Sequence, residues 1–187
     1  LGCAGLWLDF PERLAQSTGC GVFAYSRAGY GQSSPVPLPR PLDYMQREAH
    51  EVVPKLLDAI GFRRGLLVGH SDGASIAAVY AGAFRDARLA GVSLIAPHFF
   101  VEDFSLVEIA KAKEAYATTD LRAKLARWHA DPDCAFRGWN ESWLNPAFKL
   151  WDIRAFLPGI AVPVQVVQGE GDLYGTIKQV EAAQDLC

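Results

Sequence analysis

A serine set between two glycines, in Gly69-His70-Ser71-Asp72-Gly73, is the segment of this 187-residue chain whose residue types and spacing most directly describe a reaction. The apolar run Leu66-Leu67-Val68 precedes it, and a stretch apolar on most sides through Tyr80 follows. Strand before and helix after make G-x-S-x-G specific. In so sharp a turn both flanking positions are expected to be glycine, leaving Ser71 in a strained conformation with its hydroxyl exposed above the sheet. The chemistry is attack by the Ser71 hydroxyl on a carbonyl carbon. The backbone N–H of Asp72, at the helix N-terminus, would point at the oxyanion that develops. His70 points away from Ser71 as its neighbour in the turn, which makes it structural or pocket-lining.

The elements around this turn alternate. Trp7, Phe10 and Leu14 recur at helical spacing, with Gly19 where a helix ends. Gly21-Val22-Phe23-Ala24-Tyr25 is a short apolar run expected as a strand covered on both faces. A loop rich in Gly, Ser and Pro occupies residues 27–42. Asp43 with Gln46 then has the form of a capping box, ahead of a helical face of Met45, Ala49, Val52, Val53, Leu56, Leu57 and Ile60 that Pro54 is expected to kink. Residues 91–96 and 164–168 supply further strands. Strand, helix, strand, helix is the α/β signature, a mostly parallel sheet flanked by helices. Residues 97–158 differ in character, with helix-compatible stretches at 106–116 and 121–128 and four of the five tryptophans, and so form a helical insertion.

Composition excludes several classes. Half the residues are hydrophobic, 21% are charged and the formal net charge is −3, so no basic surface is offered to nucleic acid or an anionic membrane. No apolar run approaches the roughly 20 residues of a membrane span, and no signal peptide is visible. A soluble protein, cytoplasmic by default, is expected. Cys3, Cys20, Cys134 and Cys187 show neither metal-site spacing nor disulfide density and are expected to be free thiols.

Tyr25-Ser26-Arg27-Ala28-Gly29-Tyr30-Gly31-Gln32-Ser33, followed by the Ser71 turn, resembles the α/β-hydrolase superfamily. The first segment is similar to its D-x-R-G-x-G-x-S loop, with Ser26 in place of aspartate and Ala28 in place of the first glycine. The resemblance implies an acid after a late strand. Val164-Gln165-Val166-Val167-Gln168-Gly169-Glu170-Gly171-Asp172 has that order, making Asp172 the match and Glu170 its rival; an Asp at a surface turn is the bland alternative. The same resemblance requires a histidine downstream of Asp172, yet none occurs from 173 to 187. Among the histidines present, His98 at a strand's end could line the pocket, while His50 and His129 are expected to be solvated helix residues. The superfamily's oxyanion loop would end near Leu1, which is the candidate second donor. Both gaps lead us to expect an internal piece of a longer hydrolase, with residues 1–96 and 159–187 as the core.

The insertion at 97–158 resembles the helical cap of many such enzymes. Phe99, Phe100, Trp128, Trp139, Trp143 and Trp151 could line an apolar pocket or simply pack the cap onto the body. A serine nucleophile suits ester, lactone, thioester or carbon–carbon hydrolysis on a small, largely apolar molecule, with no metal or organic cofactor required. The alternative is a non-catalytic binding or signalling protein on the same fold. Oligomeric state stays open.

Overall fold

The computed structural model describes residues 1–187, which fall into two compact units: residues 1–40 with 109–144, and residues 41–108 with 145–187. In chain order the helices and strands are α1 (Phe10–Thr18), α2 (Tyr44–Arg47), α3 (Val53–Ala59), β1 (Gly65–His70), α4 (Asp72–Ala83) and β2 (Leu89–Ile95). They continue as α5 (Asp103–Thr118), α6 (Leu121–Leu125), α7 (Pro132–Trp143), β3 (Val164–Val167) and α8 (Ile177–Leu186). The 97–158 stretch contributes to both units, because the divisions fall at 108/109 and 144/145.

The sheet lies wholly in the second unit. β1, β2 and β3 pair in that order, all parallel, with His70 beside Ile95 and Leu94 beside Val166. β2 is the central strand, and Leu89, Val92 and Leu94 are buried in the core. On β1 the burial alternates: Leu66 and Val68 are exposed while Leu67 is half-buried, so this run is not covered on both faces.

α4 follows β1 directly and is buried on most sides, as its alanine-rich sequence requires. Gly82 permits the closest approach along it. A Cβ there would overlap the Phe156 carbonyl, and one at Gly159 would overlap the Gly82 carbonyl. Two backbones therefore touch where only hydrogens stand.

Two local expectations are corrected. Residues 21–25 are extended but join no ladder, and Val22 and Phe23 are 39% and 57% exposed. An apolar run becomes a strand only when a neighbouring backbone completes a ladder with it, and these residues are in none. Asp43 does not cap α2; its carboxylate pairs with Arg47 at 2.8 Å, while Gln46 accepts from the Trp151 indole N–H at 3.1 Å. Pro54 acts as its chemistry dictates. The helix widens to a π turn at Glu48–Val52 just before α3, accommodating a residue with no N–H to donate.

Candidate active site

The turn from β1 into α4 is as tight as its sequence demands. Ser71 has φ 54° and ψ −122°, a conformation that a Cβ disfavours, and its N–H donates to the Ile95 carbonyl at 2.9 Å. Its carbonyl accepts from the Ala74 N–H at 2.9 Å and the Ser75 N–H at 3.1 Å, which closes the first turn of α4 onto the serine. Gly69 is obligatory, since a Cβ there would overlap the Gly73 carbonyl. Gly73 is not, because nothing lies within 4 Å of where its Cβ would stand; the glycine requirement is one-sided. Asp72 opens α4 with its side chain buried and one carboxylate oxygen accepting from the Tyr44 hydroxyl at 2.7 Å.

The loop after β2 comes to the same end of the sheet. The Ser75 hydroxyl donates to the His98 carbonyl at 2.6 Å and accepts from the His98 N–H at 3.2 Å, so the serine one turn into α4 pins this loop. His98 is buried, and burial lowers its pKa; Asp72, Asp172 and Glu102 oppose that shift, while His70 reinforces it. His70 is exposed at its surface, yet desolvation also lowers its pKa, against the pull of Asp172 and Asp72. Two imidazoles and three carboxylates thus share one electrostatic neighbourhood. Phe99 is fully buried, its N–H and C=O held by Gln179 and Ile153.

Asp172 sits in the loop between β3 and α8, half-buried. Its carboxylate accepts from the Gln168 amide at 3.0 Å and from the Tyr174 N–H at 2.7 Å. Glu170, the rival, is exposed. Asp172, and not Glu170, is among the charges that oppose the lowered pKa of His70 and His98.

Of the remaining sequence candidates, His50, Phe100 and Trp151 lie in the second unit and Leu1, Trp128, His129, Trp139 and Trp143 in the first. Leu1 packs against a cluster of Cys3, Tyr30 and Ala135, together with Trp128. Trp128 and Trp139 are half-buried and Trp143 is buried. His129 is corrected: it is 2% exposed rather than solvated, and its Nδ1 accepts from the Gly31 N–H at 2.9 Å. The neutral ring is therefore the form that fits, and desolvation lowers its pKa accordingly. Ser26 takes a positional role where aspartate is usual, its hydroxyl accepting from the Ala4 N–H at 3.0 Å. All four cysteines are free thiols, and no helix is long and apolar enough to cross a membrane.

A family model for the alpha/beta hydrolase fold matches residues 1–183. The chain belongs to the α/β-hydrolase superfamily. Among solved structures, the hydrolase chain is similar to an enol-lactonase from Burkholderia xenovorans LB400, at 21% identity and TM-score 0.65, covering 98% of this chain and 75% of that one. It is similar also to a proline iminopeptidase from Mycobacterium smegmatis, at 19% identity and TM-score 0.72, covering 98% and 74%. An esterase from Thermogutta terrifontis superposes with TM-score 0.64 at 18% identity, covering 98% and 73%. Identities this low establish a shared fold. No curated protein matches the sequence.

The residues that sequence reasoning missed are those that hold the candidates in place: Tyr44, Ser75, Glu102, Thr176 and Gln179. Thr176 alone carried a signal, a threonine directly before a helical pattern whose side chain accepts from Lys178 N–H.

Proposed function

We propose that this chain carries the nucleophile and the acid of a serine hydrolase that cleaves a small, largely apolar ester, lactone, thioester or carbon–carbon substrate through an acyl-enzyme. The observation that carries the reading is Ser71 itself, a non-glycine residue at φ 54° between a parallel strand and a buried helix. Strain of that kind persists only where the surrounding structure over-determines it, and it is concentrated at working sites.

In this mechanism the Ser71 Oγ bonds to the substrate carbonyl carbon as its proton passes to a histidine base. The tetrahedral oxyanion accepts from the Asp72 N–H, at the start of α4. Collapse expels the leaving group with that proton, and water then repeats the sequence on the acyl-serine. Asp172 serves as the acid that orients the base and stabilises its protonated form. His50, His70, His98 and His129 all precede Asp172 in the sequence, and none is assigned as the base. His70, His98 and Phe99 are proposed to line the substrate side of the loop cluster, and the aromatic content of residues 97–158 favours an apolar ligand.

The test is covalent. Incubating the full-length protein with a fluorophosphonate and mapping the adduct by mass spectrometry should place it on Ser71. Tight binding of small apolar ligands with Ser71 unmodified would instead support a binding protein on this fold.

A further inference from the structure

β2 and β3 are neighbouring strands, and the last backbone bond between their ends is Ala96 N–H to Val167 C=O at 2.8 Å. Beyond it the chain leaves both strands as loops, 96–102 and 168–176, and the ladder no longer fixes one against the other.

Glu102 and Gln179 do so instead. Gln179, fully buried on α8, accepts from the Phe99 N–H at 2.8 Å and donates to the Phe100 carbonyl at 3.2 Å and to Glu102 Oε1 at 2.8 Å. Glu102 Oε1 also accepts from the Thr176 N–H at 3.0 Å, and Oε2 accepts from the Thr176 hydroxyl at 2.7 Å. One carboxylate thus takes three donors at the start of α8, where the helix dipole favours negative charge. Burial works to raise the Glu102 pKa, but Thr176, Gln179 and Lys178 outweigh it, and the group stays ionised. At the loop's other end the Gln168 amide donates to both Asp172 and the Gly175 carbonyl, each at 3.0 Å.

We propose that Glu102 is a positioning residue, which fixes the Asp172 loop against the loop carrying His98 and Phe99 by holding Thr176 and Gln179. It acts through those residues and touches no substrate. The inference rests on the reading of Asp172 as the acid. The carboxylate matters because three donors converge on its two oxygens; an alanine removes every acceptor, whereas a glutamine keeps Oε1 for the Thr176 N–H and the Gln179 amide and donates its NH2 to the Thr176 hydroxyl.

The experiment compares Glu102→Ala and Glu102→Asp in the full-length protein by hydrogen exchange and by ester hydrolysis below the melting temperature. Exchange of amides 172–176 should accelerate about tenfold or more in Glu102→Ala as the loop opens locally. The kcat should fall about tenfold to a hundredfold with KM changed much less, as expected when a reacting group is misplaced while substrate binding is kept. Glu102→Asp should recover part of both. Thr176→Val, set beside Thr176→Ser, repeats the comparison should the Glu102 variants not fold. Unchanged exchange and kcat in the folded variants would overturn the proposal. Should Ser71→Ala retain full hydrolysis, the enzymatic reading fails by itself, and exchange alone then decides whether the clamp exists.

Discussion

Replacing Ser71 with glycine should make the protein more stable than replacing it with alanine, an inversion of the usual order. Both substitutions remove the hydroxyl, so their difference isolates the Cβ. At φ 54° and ψ −122° that carbon is held in a sparsely populated conformation, which costs about 1–3 kcal/mol. Ser71→Ala keeps this strain and Ser71→Gly releases it. The greater freedom of glycine in the unfolded chain takes back about 0.5–1 kcal/mol, so the net gain is about 0–2.5 kcal/mol. For a protein of this size that corresponds to a Tm higher by up to about 10 °C. Thermal unfolding of the full-length variants by circular dichroism, checked by urea titration, reads the difference. Ala78→Gly, fully buried in mid-α4, is the control and should lose about 1 kcal/mol or more, since glycine is poorly helical and leaves a void. A Ser71→Gly protein that melts below Ser71→Ala would refute the strain argument.

Gly82→Ala should destabilise by about 1–3 kcal/mol or more, because the new methyl meets the Phe156 carbonyl rather than a movable side chain; a urea midpoint unchanged from wild type would show that α4 is not so closely approached. Arg122, and then Tyr116, hold the Asp133 pKa down to about 2, from an ordinary value of 3.8. A depressed carboxylate pKa contributes stability that is present above the unfolded value and lost as pH falls through the folded one. Because the Asp133 side chain is 43% exposed, the contribution is only about 0–1 kcal/mol. Asp133→Asn should accordingly be slightly less stable than wild type at pH 6, with the gap closing between pH 4 and pH 2 in urea titrations.

How far the sequence foretold this architecture depends on whether a signal is local. The Ser71 turn was readable because a strand, two glycines and a helix stand in contiguous order, and the structure adds only that Gly69 alone is sterically required. The α1 stop at Gly19, with φ 68°, was readable for the same reason. Residues 21–25 misled because an apolar run signals the capacity to form a strand, while strand formation also needs a partner that composition cannot reveal. His129 misled because helical spacing says nothing of what lies opposite; its ring is buried and accepts from the Gly31 amide, 98 positions away in sequence. Glu102, Thr176 and Gln179 were invisible as a group, since 74 to 77 residues separate the glutamate from its partners. Asp172 is proposed from its order along the chain, whereas its hydrogen bonds with Gln168 and Tyr174 belong to geometry.

The proposed chemistry turns on one hydroxyl, and hydrolysis of p-nitrophenyl acetate and butyrate by the full-length protein, beside its Ser71→Ala variant, reads that hydroxyl's contribution without intermediaries. Saturable turnover is expected in the wild type, with a loss of about a thousandfold or more in the variant, leaving only the contribution of the oxyanion donors and binding. Equal rates in the two proteins, with both shown to be folded, would contradict the assignment of Ser71 as nucleophile.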